Sequence, residues 1–280
     1  METRYIKTNG IQLQVRMIGP SDGKPIFLLH GFPDFWFTWE KQMEALAASG
    51  FRVVAPDQRG YNHSDKPLEK EAYRQRILAA DIMGLADALG YDTISLAGHD
   101  FGGIVAWAIA TLYPTRVQKL AIISAPHFLA SMKYSKTNTS QKFKSWYVLF
   151  FQLPFLPERL IKAFNYRVLR KSMPKSLSPQ LLKRYLSAWS QPNAIHTMVN
   201  WYRGFVDGVK SREIQYGQID IPTHILWGEQ DKYLEVGLAE LSLKQCTEGR
   251  LTVFDKTSHW VMHERSNEVN AILLKHFSSL

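Results

Sequence analysis

The eight residues 96–103, Leu-Ala-Gly-His-Asp-Phe-Gly-Gly, constrain the fold of this chain more than any other stretch. An apolar run at 94–97 stops at Gly98, and a long apolar segment begins just beyond Gly103. This order predicts a strand, a sharp turn and a helix. The small residues are a steric requirement, because a side chain on so tight a turn adopts unfavourable backbone angles and neighbouring Cβ atoms would collide. The side chain that the turn presents is Asp100.

This spacing of small residues resembles the nucleophile elbow of α/β-hydrolases, which raises one side chain above a sheet. The usual residue at the elbow is serine, whereas this chain has Asp100. A Gly-x-Asp-x-Gly sequence alone is also compatible with an ordinary turn aspartate. The remainder of the chain therefore has to decide between the two interpretations.

Strands and helices alternate along most of the chain. Asn9-Gly10 between two strand-like segments predicts an antiparallel hairpin. Further buried strands are predicted at 25–29, 52–55, 93–97, 117–123, 223–227 and 251–254. Short linkers between alternating strands and helices indicate an α/β fold with a mostly parallel, eight-stranded sheet and helices on both faces. The hairpin adds its antiparallel strands at one edge.

The alternation breaks between residues 127 and 211. This stretch is rich in aromatic residues and proline, has segments of helical length and shows no clear buried strand. We expect a helical cap, or lid, at 127–211, inserted into a core domain formed by 1–126 and 212–280. Extra helices packed beside the sheet are the alternative. The lysine-rich segment 133–144, which also contains serine and threonine, is predicted to be a solvated loop.

Composition excludes several classes of protein. With 45% hydrophobic and 21% charged residues, the 280-residue chain is typical of a globular domain with a large core. A net charge of +9 suggests nucleic-acid binding, but the basic residues are scattered and no nucleic-acid motif is present. We therefore expect no nucleic-acid partner and attribute the charge to solubility.

The single cysteine and the N-terminal sequence bear on the compartment. Cys246 alone forms no internal disulfide and no cluster of thiolate zinc ligands. Residues 1–5 lack the apolar run of a secretory signal, and no apolar run reaches the roughly 20 residues that span a bilayer. We expect a cytoplasmic protein without stable membrane insertion.

A base and an orienting acid follow the last predicted strands. Trp-Gly-Glu-Gln-Asp at 227–231 ends one strand, and Ser-His-Trp at 258–260 follows the next. His259 is the histidine placed directly after the last predicted strand. Asp231 and Glu229 are both candidates for the acid, and the shorter Asp231 suits the far end of the turn better. The order nucleophile, acid, histidine is the chain order of α/β-hydrolases.

His-Gly-Phe-Pro at 30–33 follows a buried strand whose end should lie beside Asp100. Glycine and proline there shape a loop that can direct a backbone N–H inward. The amides of Phe32 and Phe101 would then form an oxyanion hole. An ordinary turn uses the same residue types.

Taken together, these motifs resemble the epoxide hydrolases of the α/β-hydrolase fold nearly end to end, and the haloalkane and haloacetate dehalogenases more distantly. The matching blocks are His-Gly-Phe-Pro at 30–33, Asp-Gln-Arg-Gly-Tyr at 57–61, Gly-His-Asp-Phe-Gly-Gly at 98–103, Ala-Pro-His at 125–127, Asn-Trp-Tyr-Arg at 200–203, Trp-Gly-Glu-Gln-Asp at 227–231 and Ser-His-Trp at 258–260. The resemblance implies an Asp100 nucleophile, a His259 base, an orienting Asp231, and no cofactor or metal.

Aspartate at the elbow selects the chemistry. A carboxylate is a poor nucleophile for acyl transfer, but it displaces a leaving group from a saturated carbon and forms an ester that water hydrolyses. Strained epoxides and alkyl halides both fit. An epoxide needs a proton donor for its alkoxide, whereas a halide needs N–H donors.

The resemblance also implies two cap tyrosines that protonate the epoxide oxygen. One maps onto Tyr202, and the other falls in a Tyr-Phe-Gln block that reads Phe-Phe-Gln at 150–152 here. Tyr147, one helical turn before Phe150, is a candidate replacement. At the halide-donor position that follows the nucleophile, dehalogenases carry tryptophan or arginine. Phe101 stands there and disfavours halides.

The substrate pocket is predicted to be apolar because the insertion is rich in aromatic residues. We expect His30, Pro33, Phe150 and Trp260 to line it. The interpretation is an epoxide hydrolase that takes a small lipophilic epoxide and water. The alternatives are a dehalogenase with the same nucleophile and a non-catalytic ligand-binding relative, and the latter would have no use for an intact Asp-His-Asp set.

Overall fold

A computed structural model describes residues 1–174 and 177–279 of the chain. Its centre is an eight-stranded sheet in the order β1-β2-β4-β3-β5-β6-β7-β8. The strands are β1 (Glu2–Thr8), β2 (Ile11–Ile18), β3 (Pro25–Leu29), β4 (Arg52–Pro56), β5 (Ile94–His99), β6 (Val117–Ile123), β7 (Thr223–Gly228) and β8 (Gly249–Phe254).

The sheet is parallel from β4 to β8. The hairpin β1–β2 is antiparallel, and β2 joins the rest by an antiparallel pairing with β4. Every residue of β4 and β5 is buried, so both faces of the central strands are covered. The predicted fold class is therefore confirmed.

Twelve α-helices accompany the sheet in the described part of the chain. They are α1 (Glu40–Ala48), α2 (Gln75–Ala88), α3 (Phe101–Leu112), α4 (Phe128–Thr137), α5 (Thr139–Lys144), α6 (Trp146–Phe150), α7 (Leu156–Ser172), α8 (Pro179–Trp189), α9 (Ala194–Ser211), α10 (Val236–Leu243), α11 (Val261–Glu264) and α12 (Ser266–Ser278). Helix α7 is interrupted by four residues with non-helical backbone angles, at 163–166.

Helices α4 to α9 form a helical insertion between β6 and β7. Helix α9 lies on the loop after β4, where the Trp201 indole donates to Arg59 O (2.9 Å) and the Thr197 hydroxyl to Gly60 O (2.6 Å). Gly204 allows this close packing, because a Cβ there would lie 2.5 Å from the backbone of Tyr73. The insertion thus rests on loops at the carboxyl ends of the strands.

Helix α8 holds the same edge through polar contacts. The Tyr185 hydroxyl donates to buried Asp34 (2.6 Å), and the Trp189 indole donates to Pro33 O (2.8 Å). Both acceptors belong to the loop after β3. This loop is therefore fixed from above by the insertion as well as from below by the sheet.

The prediction that segment 133–144 is a solvated loop is wrong. The segment belongs to α4 and α5, and the Asn138 side chain caps α5 by accepting from Gln141 N. The hydroxyl of Tyr134 and the amide of Asn138 both donate to Glu235, which holds these helices against the core. Lysines occupy the exposed face, so the sequence shows little apolar periodicity even though the backbone is helical.

The described helices contain no segment with the length and apolarity to cross a bilayer.

Candidate active site

Asp100 occupies a strained turn between β5 and α3. Its backbone has φ +51° and ψ −124°, which a non-glycine residue rarely adopts. A Cβ at Gly98 would collide with the Gly102 backbone, one at Gly102 with the Leu29 carbonyl, and one at Gly103 with Ala125. The small residues are therefore required by close backbone approach on every side, as the sequence predicts.

The imidazole of His259 lies between two carboxylates. Its Nε2 is 3.4 Å from Asp100 Oδ2, and its Nδ1 is 2.7 Å from Asp231 Oδ2. Asp231 is held in turn by the backbone amides of Tyr233 (2.8 Å) and Leu234 (3.0 Å), which donate to Oδ1. Three side chains from three separate strand ends thus form a connected Asp-His-Asp set.

Glu229, the other acid considered for this role, lies away from the histidine. It is exposed, and its carboxylate accepts from the Lys256 amide (3.2 Å). Of the two acids, Asp231 is therefore the one that reaches His259.

Charge coupling governs the ionisation of this set. Burial opposes ionisation of Asp100, but the hydrogen bond and charge of His259 outweigh it and hold the Asp100 pKa below its ordinary value. Burial also disfavours the imidazolium, yet Asp231 and Asp100 together raise the pKa of His259 to about 10. At neutral pH the free protein therefore holds an imidazolium between two carboxylates.

The loop after β3 brings a backbone amide to the Asp100 carboxylate. Phe32 N donates to Asp100 Oδ1 at 2.9 Å, and a Cβ at Gly31 would collide with the Asp100 side chain. Phe101 is the first residue of α3, so its amide has no carbonyl partner within the helix. One carboxylate oxygen thus accepts from the Phe32 amide while the other faces His259.

Two tyrosines from the insertion pack beside the aromatic residues that flank Asp100. The Tyr202 ring stands edge-on to Phe101 (4.6 Å between centroids) and to Phe32 (5.2 Å), and Tyr147 packs against Tyr202 at 5.8 Å. Burial, reinforced by the charge of Asp100, raises the pKa of both phenols well above the ordinary value. Both therefore remain protonated at neutral pH.

Phe150 and Phe151 take different positions. Phe151 packs against Tyr202 (4.7 Å) and Phe32 (5.8 Å). Phe150 is half-buried and packs against Trp146 (5.7 Å) on the outer side of α6. The ring that borders the two tyrosines is thus that of Phe151.

The remaining predicted pocket residues surround the site at different depths. His30 is fully buried beneath it, where Nε2 accepts from Gln58 N (3.1 Å) and burial lowers its pKa to about 4. Pro33 is buried under α8. Trp260 packs against His259 (5.7 Å) and donates from its indole to Ser172 O (2.7 Å). His30 and Trp260 therefore support the catalytic loops from behind and beside them.

Comparison with known proteins agrees with this fold. A family model described as the α/β hydrolase fold matches residues 24–266. The chain belongs to the α/β-hydrolase fold family. It is 38% identical to AB hydrolase superfamily protein YfhM of Bacillus subtilis (100% of this chain, 99% of the relative) and 34% identical to epoxide hydrolase 4 of Mus musculus (96% and 77%).

A solved structure resembles this α/β hydrolase throughout. The crystal structure of a Bacillus megaterium epoxide hydrolase in complex with an inhibitor superposes with a TM-score of 0.90 at 29% identity, over 99% of this chain and 100% of that one. The resemblance to epoxide hydrolases that the motifs indicated is confirmed, and the protein is a hydrolase.

One aromatic residue at the site of this α/β hydrolase was not predicted from the sequence. The Tyr233 ring stands edge-on to His259 (5.3 Å) and to Tyr147 (6.1 Å). Its position two residues after Asp231 was the available signal, because the loop that delivers the acid also delivers its neighbours. Tyr233 thereby connects the core loop to the tyrosines of the insertion.

Proposed function

We propose that this hydrolase opens an apolar epoxide to a vicinal diol through a covalent ester of Asp100. The observation that carries the proposal is the division of the Asp100 carboxylate between two sets of partners. Oδ1 accepts from the Phe32 amide, whereas Oδ2 faces His259, below the two tyrosines. Epoxide hydrolase 4 of Mus musculus, at 34% identity, supports the same assignment.

Alkylation is the first step. Asp100 Oδ2 attacks one ring carbon, and the carbon–oxygen bond of the epoxide breaks as the ester bond forms. The departing oxygen takes a proton from a phenol. Tyr202 is the principal donor. Tyr147, whose ring centroid lies 5.8 Å from that of Tyr202, is the second. Their raised pKa values keep the protons available until the alkoxide develops.

Hydrolysis is the second step, and alkylation itself prepares it. The ester carries no charge, so His259 loses one of the two anions that raise its pKa. The proton of the imidazolium passes to the tyrosinate that alkylation left. The neutral imidazole then takes a proton from water through Nε2, and Asp231 stabilises the imidazolium that forms. Hydroxide attacks Cγ of Asp100, and Oδ1 becomes the oxyanion held by the amides of Phe32 and Phe101. The diol oxygen leaves with the proton of His259, and the Asp100 carboxyl passes its own proton to the imidazole, which restores the carboxylate and the imidazolium.

The rings around the carboxylate favour an apolar substrate. Phe32, Phe101 and Phe151 all pack against Tyr202, so carbon surrounds the phenol that meets the epoxide oxygen. Residues 127–211 act as a cap on the core formed by 1–126 and 212–280, because they bring Tyr147 and Tyr202 over a nucleophile that the sheet holds. The substrate class we propose is therefore small lipophilic epoxides.

A substrate panel tests the reaction class. The purified protein is assayed with aryl and alkyl epoxides, haloalkanes and nitrophenyl esters, and the products are separated by chromatography. We expect vicinal diols from one or more epoxides, without halide release. Halide release or ester cleavage in the absence of any diol would contradict the proposal.

A further inference from the structure

The outer face of the helical insertion combines exposed apolar and basic side chains. In the described chain, six large apolar side chains between residues 143 and 168 are more than half exposed, with exposed fractions from 58% to 83%. They are Phe143, Trp146, Leu149, Phe155, Phe164 and Val168. We call this set the outer apolar face. Exposed apolar side chains concentrated in so short a segment make it a candidate interaction surface.

Basic residues accompany these side chains. The segment 128–172 contains nine lysines and arginines but a single acidic residue, Glu158. That acid is buried and bonded to Arg203 (2.7 Å), so it offsets none of the surface charge. Most of the net charge of +9 of the protein is therefore concentrated on the helices that carry the outer apolar face.

The two kinds of side chain share a single groove on α7. Phe164 lies at the interruption of the helix, and a groove of about 490 Å³ beside it is also lined by Arg167, Arg170 and Lys171. The groove brings an aromatic ring and three guanidinium or ammonium groups to one place. This combination is complementary to an amphiphile with an anionic head and an apolar tail.

Two of the helices that carry the outer apolar face, α6 and α7, are fixed on their inner sides. Arg203 of α9 donates to the carbonyls of Phe151 (3.0 Å) and Leu153 (2.6 Å) in the α6–α7 turn, as well as to Glu158 of α7. The inner sides of α6 and α7 are therefore held against α9, and their apolar outer sides are presented to the surroundings.

We propose that the outer apolar face docks the protein on an anionic lipid bilayer surface. Aromatic and leucine side chains enter the interfacial region while lysine and arginine neutralise lipid phosphates, which is how amphipathic surfaces bind membranes without spanning them. A second copy of this chain is a poorer occupant, because two such faces would oppose strongly positive surfaces. Trp146 directly precedes Tyr147, so the docked face borders the paired tyrosines of the candidate site.

Vesicle co-sedimentation tests the proposal without reference to the reaction. The full-length protein is mixed at low salt with vesicles of phosphatidylcholine alone or of equal parts phosphatidylcholine and phosphatidylglycerol. We expect at least about tenfold more bound protein on the anionic vesicles, with release at high salt. Protein that stays in the supernatant with both kinds of vesicle would overturn the proposal.

Two sets of substitutions locate the binding surface. Leu149→Ser, Phe155→Ser and Phe164→Ser combined should lower anionic-vesicle binding about tenfold or more. Lys162→Glu, Arg167→Glu and Arg170→Glu combined should do the same by reversing charge. A double variant at exposed apolar residues outside the face, Leu68→Ser with Val253→Ser, is the matched control and should bind as the parent does. Circular dichroism checks that each variant is folded.

Other outcomes reject the membrane assignment. If the serine variant binds vesicles as well as the parent, the face is not the membrane-binding surface. If the parent ignores vesicles but sedimentation velocity shows a dimer that the serine variant loses, the face joins two copies of the chain instead.

Discussion

The ring of Tyr147 stands edge-on to the ring of Tyr202, with 5.8 Å between centroids and an interplanar angle of 83°. This pairing brings together two tyrosine rings from different helices of the insertion, next to the aromatic residues that flank Asp100. The motif comparison pointed instead to position 150, where phenylalanine raised doubt about a second donor. Tyr147 rather than Phe150 packs against Tyr202, and Phe150 packs against Trp146, so we propose Tyr147 as the second donor.

Tyr202→Phe and Tyr147→Phe should each slow alkylation. General acid assistance is typically worth about 10²–10⁴-fold, so we expect Tyr202→Phe to cost a large part of that range, Tyr147→Phe a measurable part, and the double variant the most. Single-turnover epoxide consumption measures the effect. Phe150→Tyr is the matched control and should change little, because its hydroxyl would lie near Trp146. An unchanged rate in both tyrosine variants would remove them from the mechanism.

His259→Ala should trap the ester rather than prevent it. The nucleophile and the Phe32 amide that donates to it remain in this variant, so alkylation proceeds, but no base activates water for hydrolysis. Intact-mass measurement after exposure to an epoxide should show a protein adduct of one substrate mass. Asp100→Ala should show none. Sustained multiple turnover by either variant would refute the assignment of roles.

Asp231→Asn should slow hydrolysis and lower the pKa of His259. Asp231 is the largest of the charges that raise this pKa, and it also fixes the orientation of the ring through Nδ1. We expect ester accumulation and an NMR titration of the imidazole at lower pH than in the parent. Glu229→Gln, on the same turn but away from His259, is the control. Equal behaviour of the two variants would contradict the choice of Asp231.

Acid should destabilise the protein through buried neutral histidines. Both ring nitrogens of His127 lack hydrogen-bond partners, and burial lowers its pKa to about 4, whereas an unfolded histidine titrates near 6.5. The unfolded chain therefore binds the extra proton first, and stability falls as the pH drops from about 6.5 towards 4. One such group contributes a slope of about 1.4 kcal/mol per pH unit.

His127→Phe tests this contribution. The substitution keeps an aromatic ring against Trp107 and Tyr216 and removes the titratable group. The free energy of unfolding, measured with urea at several pH values, should fall less steeply below pH 6 than in the parent. The two slopes should differ by about 1.4 kcal/mol per pH unit, the contribution of one proton. Identical slopes in the two proteins would show that His127 does not stay neutral in the fold.

Much of the fold could be predicted from the sequence, because alternating strands and helices and closely packed turns impose recognisable residue patterns. The bounds of β3 and β6 agree with their predicted ranges, since buried parallel strands are short apolar runs between turns. The turn at Asp100 could be predicted because only small residues fit around it. The prediction for segment 133–144 was wrong because its lysines cover the exposed side of two short helices and hide their periodicity. The contact that holds the other side comes from Glu235, about 100 residues later in the chain.

The second tyrosine could not be assigned from sequence alone. Tyr147 and Phe150 lie one turn apart on α6, so both fall on related faces, and only the packing of α6 against α9 decides which ring meets Tyr202. The pairing of Tyr233 with His259 likewise depends on the path of the β7 loop. Such contacts between distant segments are set by tertiary packing, which local patterns do not encode.

The central claim is that Asp100 becomes esterified and then loses one of its own oxygens to the product. Single-turnover reaction of excess protein with an epoxide in heavy-oxygen water, followed by peptide mass spectrometry, tests it most directly. Hydrolysis of the ester at Cγ places water oxygen in the carboxylate, so the peptide containing Asp100 should gain one heavy oxygen while the first diol released carries none. A diol labelled from the first turnover, with an unlabelled Asp100 peptide, would show that water attacks the epoxide itself and would contradict the covalent mechanism.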